Sequence, residues 1–239
     1  MWIEDLEQRA LLSATLSGGV LTVTGTSGND IILVRTGKDD AGNAQLIVTE
    51  AVAVRPHKGA KRVAPTVTKF AAADVKSVVV NAGDGNDSVA LVGRRKNPFA
   101  VNATINGGNG DDRLLAGAGN DTVNGGAGND RIEGDGGNDL LNGDDGNDRI
   151  AGGRGDDSLN GGNGNDDLLA ADRGGTDVVD GGANDPVTAP TTTTGAHGRK
   201  HHVRGNPGDV AVVDTGDTVT NVEKTLTVTR TTPTSSAKA

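Results

Sequence analysis

The feature that most constrains this chain is an aspartate that recurs every nine residues. Units such as "GGAGNDRIE", "GDGGNDLLN" and "GDDGNDRIA" follow one another without a break, each with aspartate in the sixth place. The eighth place of every unit is Val, Ile or Leu. A disordered Gly/Asp linker has no reason to keep an apolar residue in register with an aspartate, so the period indicates a folded repeat.

The composition limits what this repeat can be. The chain of 239 residues contains two Phe, one Trp and no Tyr, so a large aromatic core is excluded. Between residues 107 and 169 lie 19 of its 38 glycines, together with 14 acidic residues and four arginines. Such a charge repels nucleic acid and anionic membrane surfaces and attracts cations. No run of 18 apolar residues occurs, so we expect no nucleic-acid partner and no membrane span.

Nine residues of this kind make one turn and one very short strand. The glycine pairs favour tight turns with positive φ, and the three residues after the aspartate, such as "RIE", favour a strand whose middle side chain points inward. Two units form a coil, and stacked coils bury a file of apolar side chains between two parallel sheets. The sequence therefore predicts an all-β fold, a right-handed parallel β-roll (a solenoid) with flanking β-strand caps.

In such a roll the aspartates stack into two ladders, one along each edge. Carboxylates about 4.8 Å apart repel by about 3.5 kcal/mol per pair at an effective dielectric constant of about 20. One buried aliphatic side chain contributes about 1.5–3 kcal/mol and does not offset this repulsion. A divalent cation between turns removes the penalty. Because the ligands are all oxygen atoms and no His lies between residues 107 and 169, we expect Ca²⁺ rather than zinc, copper or the octahedral Mg²⁺.

Over residues 107–169 the units resemble the G-G-x-G-x-D-x-U-x nonapeptide of the RTX (repeats-in-toxin) family of calcium-binding proteins. The resemblance implies that each repeat aspartate shares its carboxylate between calcium ions while carbonyl groups of the turns complete the coordination. A further copy, "AGDGNDSVA", precedes the run. Carried over by position, the candidate calcium ligands are Asp87, Asp112, Asp121, Asp130, Asp139, Asp148, Asp157 and Asp166.

Departures from the pattern predict weaker or absent binding toward the ends. Asp30, in "SGNDIIL", lacks the leading glycine pair and is expected to be at best a vestigial site. Ala116, Asp135 and Asp144 interrupt glycine pairs inside the run. After residue 169 the spacing slips, and Asp177 arrives eleven residues after the preceding repeat aspartate.

The flanking sequence divides the chain into further segments. Alternating apolar and polar residues before and after the repeat predict strands that cap the roll, and the Thr/Pro/Gly-rich stretch between predicts a mobile loop. The predicted segments are a sorting-like 1–14, a β-rich cap 15–104, the calcium-binding roll 105–182, a flexible loop 183–209, a strand cap 210–230 and a disordered tail 231–239.

The first segment contains a possible export signal. "LEQRALLSA", residues 6–14, resembles the "LEPRxLLSA"-type segment near the start of many planctomycete proteins thought to be exported, and departs from it at Gln8. The alternative is an ordinary short amphipathic helix.

No catalytic motif accompanies the repeat, so we expect no enzymatic activity. H-E-x-x-H, G-x-S-x-G and P-loop sequences are missing, as are Cys and Tyr. The histidines of "HGRKHH" (His197, His201 and His202) are typical of a solvated basic loop rather than a zinc site. Adjacent acids such as Asp111–Asp112 and Asp156–Asp157 are more often ion ligands in a turn than a glycosidase pair.

The sequence thus predicts an extracellular calcium-binding protein with a structural or interaction role, whose roll folds after secretion because ion binding and folding are one event. The alternative is a carbohydrate- or cell-surface-binding module. Scarce aromatic residues disfavour stacking on sugars, but basic residues outside the roll suit an acidic polysaccharide. These residues are Arg94, Arg95, Lys96, Arg199 and Lys200.

Overall fold

A computed structural model describes residues 12–52, 65–93, 99–170, 175–182, 210–214, 218–220, 222 and 224–228. Within these residues the chain forms strands, connected by turns, and a single short 3₁₀ helix at Ala72–Asp74. The predicted all-β fold is confirmed. No helix among the described residues is long and apolar enough to cross a membrane.

The strands follow one another with short connections through the repeat. In chain order they are β1 (Ser13–Ser17), β2 (Val20–Thr24), β3 (Asp30–Lys38), β4 (Ala44–Val52), β5 (Thr66–Ala71), β6 (Ser77–Asp84), β7 (Ser88–Val92), β8 (Ala103–Asn109), β9 (Arg113–Gly117), β10 (Thr122–Ala127), β11 (Arg131–Gly136), β12 (Leu140–Asp145), β13 (Arg149–Arg154), β14 (Ser158–Asn163), β15 (Asp167–Leu169), β16 (Val178–Asp180), β17 (Val210–Asp214), β18 (Thr218–Thr220) and β19 (Lys224–Val228).

Successive strands of the repeat alternate between two sheets. The first sheet has the order β1-β2-β6-β8-β10-β12-β14-β16-β18, and the second has the order β19-β17-β15-β13-β11-β9-β7-β3-β4-β5. From β6 to β16 in the first sheet, and from β3 through β7 to β19 in the second, neighbouring strands are parallel. Val123 pairs with Leu141 and Ile132 pairs with Ile150, a step of two nonapeptides. One coil of the roll is therefore two units long, as the sequence predicts.

Each nonapeptide contributes one aliphatic side chain to the space between the sheets. These side chains are 0–1% exposed. They form a continuous file through the roll: Leu114, Val123, Ile132, Leu141, Ile150, Leu159 and Leu168. The eighth place is buried because it is the middle of the three strand residues that follow the aspartate, and successive side chains of a strand alternate between faces.

The strands of the repeat are longer than the three residues that the sequence predicts. β10 and β12, for example, continue through the glycine pair, and pairing resumes at Gly126 and Asp144 after one skipped residue. Gly126 has φ of 108°, and the residue in the same place of other units also has positive φ. The turn residues thus stay in the ladder of hydrogen bonds because a left-handed residue at the second place redirects the chain without ending the sheet.

The end nearest the N-terminus has a different architecture. β1 pairs with β2, β3 with β4, and β4 with β5, all antiparallel. Gly18 and Gly19, both with positive φ, form the two-residue connection between β1 and β2. β2 and β3 also pair in parallel with the roll through β6 and β7, so this end is continuous with both sheets.

Strands after residue 210 continue the two sheets. β17 pairs with β15 and β18 with β16, in parallel. Residues 1–11, 183–209 and 229–239 lie outside the described residues, and with them the predicted sorting-like segment in its larger part, the predicted loop and the predicted tail.

Candidate metal centre

The repeat aspartates lie immediately before strands and form two ladders. We define the long ladder as Asp30, Asp87, Asp112, Asp130, Asp148 and Asp166, which precede or begin strands of the second sheet. The short ladder is Asp121, Asp139, Asp157 and Asp177, which precede strands of the first sheet. The structure therefore places the eight predicted candidate ligands on two edges. The seven from Asp112 to Asp166 alternate as the nine-residue period predicts, and Asp87, 25 residues before Asp112, joins the long ladder.

Hydrogen bonds join the aspartates of each ladder. The backbone N–H of Asp112 donates to Oδ1 of Asp130 at 2.7 Å, and the N–H of Asp130 donates to Oδ1 of Asp148 at 2.7 Å. The same contact joins Asp121 to Asp139 at 2.8 Å in the short ladder. One oxygen of each of these carboxylates is thus fixed by the chain of the neighbouring coil, which orients the other oxygen.

The second carboxylate oxygen is buried without a donor. All the aspartates of both ladders are 1–3% exposed. Oδ2 accepts no hydrogen bond in the following residues: Asp87, Asp112, Asp121, Asp130, Asp139 and Asp148. A buried charged oxygen with no partner is costly, so its repetition along two ladders indicates a missing positive partner.

The first glycine of the unit creates the space that these oxygens face. A Cβ on Gly125 would lie closer than 3.0 Å to both Oδ2 of Asp130 and the carbonyl oxygen of Gly143. Gly134 has the same relation to Asp139 and to the carbonyl of Gly152. A carboxylate oxygen and a carbonyl oxygen therefore converge where no side chain fits, and both are acceptors. A cation satisfies two such oxygens at once.

Burial disfavours the charged form of these aspartates. It raises the pKa of Asp87, Asp139 and Asp148 to about 7, and the pKa of Asp112, Asp121 and Asp130 to about 6. The N–H donated from the neighbouring coil lowers the pKa, whereas neighbouring carboxylates raise it in the middle of each ladder, as Asp121 and Asp157 do for Asp139. A bound cation favours the ionised carboxylates and reverses this balance.

The donor set fits calcium. Among the described residues, no group of three or more His, Cys, Asp or Glu side chains is placed to hold a metal ion. The backbone must then supply part of any coordination shell, and the carbonyls of the first glycines lie where they are required. A shell of carboxylate and carbonyl oxygens is typical of Ca²⁺, which accepts six to eight oxygen ligands with flexible geometry.

A second file of side chains holds the turns together, and the sequence interpretation missed it. The fifth-place side chain accepts a backbone N–H from the next coil, as Asn129 does from Asn147 at 3.0 Å and Asn120 does from Asn138 at 2.9 Å. Its signal is the recurring Asn or Asp directly before each repeat aspartate. These exposed contacts align the turns whose carbonyl groups face the buried oxygens.

Two residues that the sequence set apart from the repeat belong to the ladders. Asp30 is 1% exposed, and its N–H donates to Oδ1 of Asp87 at 2.7 Å. Asp177 is 1% exposed, and its Oδ1 accepts the N–H of Asp157 at 2.8 Å. The slip in spacing before Asp177 is absorbed in the connection between β15 and β16, so position in the ladder does not require strict sequence spacing. The weaker or absent ion binding that the sequence predicts at both residues stays a prediction.

The structure does not describe the other residues that the sequence analysis considers for binding. His197, His201 and His202 lie outside the described residues, as do Arg94, Arg95, Lys96, Arg199 and Lys200.

Comparison with known proteins identifies the repeat. A family model described as the RTX calcium-binding nonapeptide repeat (4 copies) matches residues 106–141 and 142–172. The match coincides with the region in which both ladders and the single aliphatic file are regular. No curated protein and no solved structure matches the chain.

Proposed function

We propose that this chain, in which residues 106–172 are RTX calcium-binding repeats, is an extracellular structural protein whose roll folds when calcium binds after export. RTX repeats bind calcium, and several repeats imply several ions. The observation that carries the proposal is the row of buried carboxylate oxygens without donors, repeated along both edges of the roll.

The residues that would hold the ions are the repeat aspartates together with the carbonyl groups of the first glycines. Calcium supplies the positive charge that neighbouring carboxylates need in order to stack. The backbone N–H of each of these aspartates donates to the carboxylate of the next coil. In the folded roll these hydrogen bonds hold the carboxylates in position for the ions. Because the ladder exists only in the folded roll, the free energy of ion binding is free energy of folding.

Weak affinity links this folding to location. Extracellular calcium modules have dissociation constants of about 10⁻⁴–10⁻³ M, so such a roll stays unfolded in a calcium-poor cytoplasm and folds outside the cell. The export-like segment at residues 6–14 supports this location by resemblance. We propose the domain division 15–104, 105–182 and 210–230 for the two flanking β regions and the roll between them.

A calcium titration followed by far-ultraviolet circular dichroism tests the proposal. Magnesium at matched ionic strength is the control. We expect a cooperative, calcium-selective gain of β signal with a midpoint in the millimolar to submillimolar range. A full β spectrum in excess EDTA, unchanged by calcium, would contradict calcium-driven folding.

A second candidate function, binding of an acidic polysaccharide, is favoured by one surface. Arg113, Arg131 and Arg149 stack in register on the outer face of the second sheet. Glu133 and Asp167 pair with them and leave an excess of one positive charge on an otherwise acidic roll. A glycan array probed in calcium, with all three arginines changed to Gln, tests this binding. Arg35 on β3 is exposed, and Arg35→Gln is the control. Equal binding by both variants would contradict a role of the three stacked arginines.

We assign no reaction to the chain. A screen for hydrolase and lyase turnover in calcium is expected to show none, and reproducible turnover abolished by a single substitution would overturn the structural role.

A further inference from the structure

The long ladder ends at Asp30, and this last rung differs from the others. Its Oδ2 accepts the backbone N–H of Thr26 at 2.6 Å and the Thr26 hydroxyl at 2.9 Å. Its N–H donates to Asp87, in the same way as the N–H groups of the rungs from Asp87 to Asp148 donate to the next aspartate. Oδ1 of Asp30 is buried without a hydrogen-bond partner. The ladder therefore ends in a carboxylate that is half satisfied within its own turn.

A second buried carboxylate lies beside this end. Glu50 is on β4, directly opposite Ile32 of β3, two residues along from Asp30. It occupies the inward face that Leu46 and Val48 fill with apolar side chains, and it is 2% exposed. Both of its carboxylate oxygens are buried without a hydrogen-bond partner. A buried glutamate in an apolar position with two unsatisfied oxygens is energetically costly.

The two carboxylates act on each other. Burial raises the pKa of Glu50, and the negative charge of Asp30 raises it further. In the part of the chain that the structure describes, neither residue forms an ion pair, since the ion pairs there involve Glu133 and Asp167. Three buried acceptor oxygens on adjacent strands thus lack a positive partner.

We propose that Asp30 and Glu50 hold a further calcium ion at the N-terminal end of the long ladder. The inference rests on the proposed function, because it takes its ion from the same calcium that folds the roll. Both side chains supply hard oxygen ligands. The carbonyl of Ala82 faces the Gly25 position beside Oδ2 of Asp30, as the first-glycine carbonyls do in the repeat. The site lies outside residues 106–172, and Glu50 belongs to no nonapeptide.

The position of this ion gives it a distinct structural role. Asp30 begins β3 and belongs to the ladder through its contact with Asp87, whereas Glu50 lies on β4, which pairs only with β3 and β5. An ion held by both couples β4 to the ladder, so the end of the sheet becomes ordered together with the ions of the repeat.

Glu50→Gln in the full chain tests the site, with the exposed Asp40→Asn of the β3–β4 turn as the matched loss of one charge. Bound calcium is counted by native mass spectrometry, and melting temperatures are measured in calcium and in EDTA. We expect Glu50→Gln to bind one calcium fewer than the wild type, to melt lower in calcium and to melt higher in EDTA. Asp40→Asn should keep the full number of ions.

An unchanged calcium count in Glu50→Gln would overturn the inference, and so would a change of melting temperature with the same sign in both conditions. The latter result indicates a glutamate that is buried in its neutral form. If Glu50→Gln does not fold, Glu50→Met fills the apolar position and carries the same expectations. A wild-type chain that binds no calcium would refute the proposed function itself, whereas a wild type with ions and a variant with equally many would refute only this site.

Discussion

The N-terminal strands β1 to β7 and the strands of the repeat are stabilised in different ways. In the N-terminal part, β2, β3, β4, β6 and β7 each bury two or more apolar side chains, such as Leu21 and Val23 on β2 and Val78 and Val80 on β6. From β10 to β14 in the repeat each strand buries one aliphatic side chain, and the other inward position is glycine. At about 1.5–3 kcal/mol per buried aliphatic side chain, each of these N-terminal strands gains at least twice as much from burial as a strand of the repeat. We therefore expect the stability of the repeat to depend on its ions and that of the N-terminal end to depend mainly on its core.

We expect the largest difference between the two regions when one core isoleucine in each is replaced by alanine. Ile132→Ala and Ile32→Ala remove the same atoms from sites that are 0% and 1% exposed, and each should cost about 2–5 kcal/mol. We expect the first to shift the calcium midpoint of folding strongly upward. The second should chiefly lower the stability of the β structure that remains in EDTA. Calcium titrations and thermal melts of both variants measure this, and two identical profiles would show that the regions do not differ.

Removing one carboxylate from the middle of the long ladder should have the next largest effect. Asp130→Asn keeps an oxygen that can accept the N–H of Asp112 but loses the charge. We expect the calcium midpoint to rise about tenfold, or about 1.4 kcal/mol. Asp145→Asn, an exposed acid one coil away, is the control. A midpoint that moves equally in both variants would indicate a general charge effect in place of a ligand.

The period in the sequence was sufficient to predict the coil, the aliphatic file and both ladders, because each repeats the same local geometry. It was not sufficient for Asp177, since a connection of any length can return the chain to the ladder. Glu50 could not be found at all: its proximity to Asp30 arises from the antiparallel pairing of β3 with β4. The extension of the strands through the glycine pairs depends on pairing between coils, which a single unit does not reveal.

The raised pKa values predict opposite pH dependences with and without calcium. An aspartate has a pKa of about 3.9 in an unfolded chain. Burial raises the pKa of Asp112, Asp121 and Asp130 to about 6 and that of Asp87, Asp139 and Asp148 to about 7. The ion-free roll thus binds more protons than the unfolded chain between these values, so its stability is greatest below about pH 4 and is lost as the pH rises through about 6 to 7.

With calcium the sign reverses, because protons compete with the ion for the carboxylates. We expect β signal in EDTA to increase as the pH falls from 8 to 5, and the calcium midpoint to increase over the same range. Circular dichroism at each pH measures both. A calcium midpoint independent of pH between 5 and 8 would contradict the assignment of these aspartates as ligands.

The smallest expected effect concerns the turn. Asp144 has φ of 73° at a place where most units have glycine with positive φ. Asp144→Gly should relieve backbone strain of about 1 kcal/mol or less and lower the calcium midpoint slightly. Asp145→Gly removes the same charge from a residue whose φ is not positive. Equal shifts in the two variants would show that charge alone, without strain, accounts for the change.

Hydrogen exchange of the full chain, followed by mass spectrometry with and without calcium, tests the central claim most directly. The backbone N–H groups of Asp112, Asp121, Asp130, Asp139 and Asp148 each donate to the carboxylate of the next coil. The account predicts that peptides from residues 106–172 are protected only in calcium, while those covering β2, β3 and β6 keep more of their protection in EDTA. Equal protection of the repeat peptides in both conditions would contradict it.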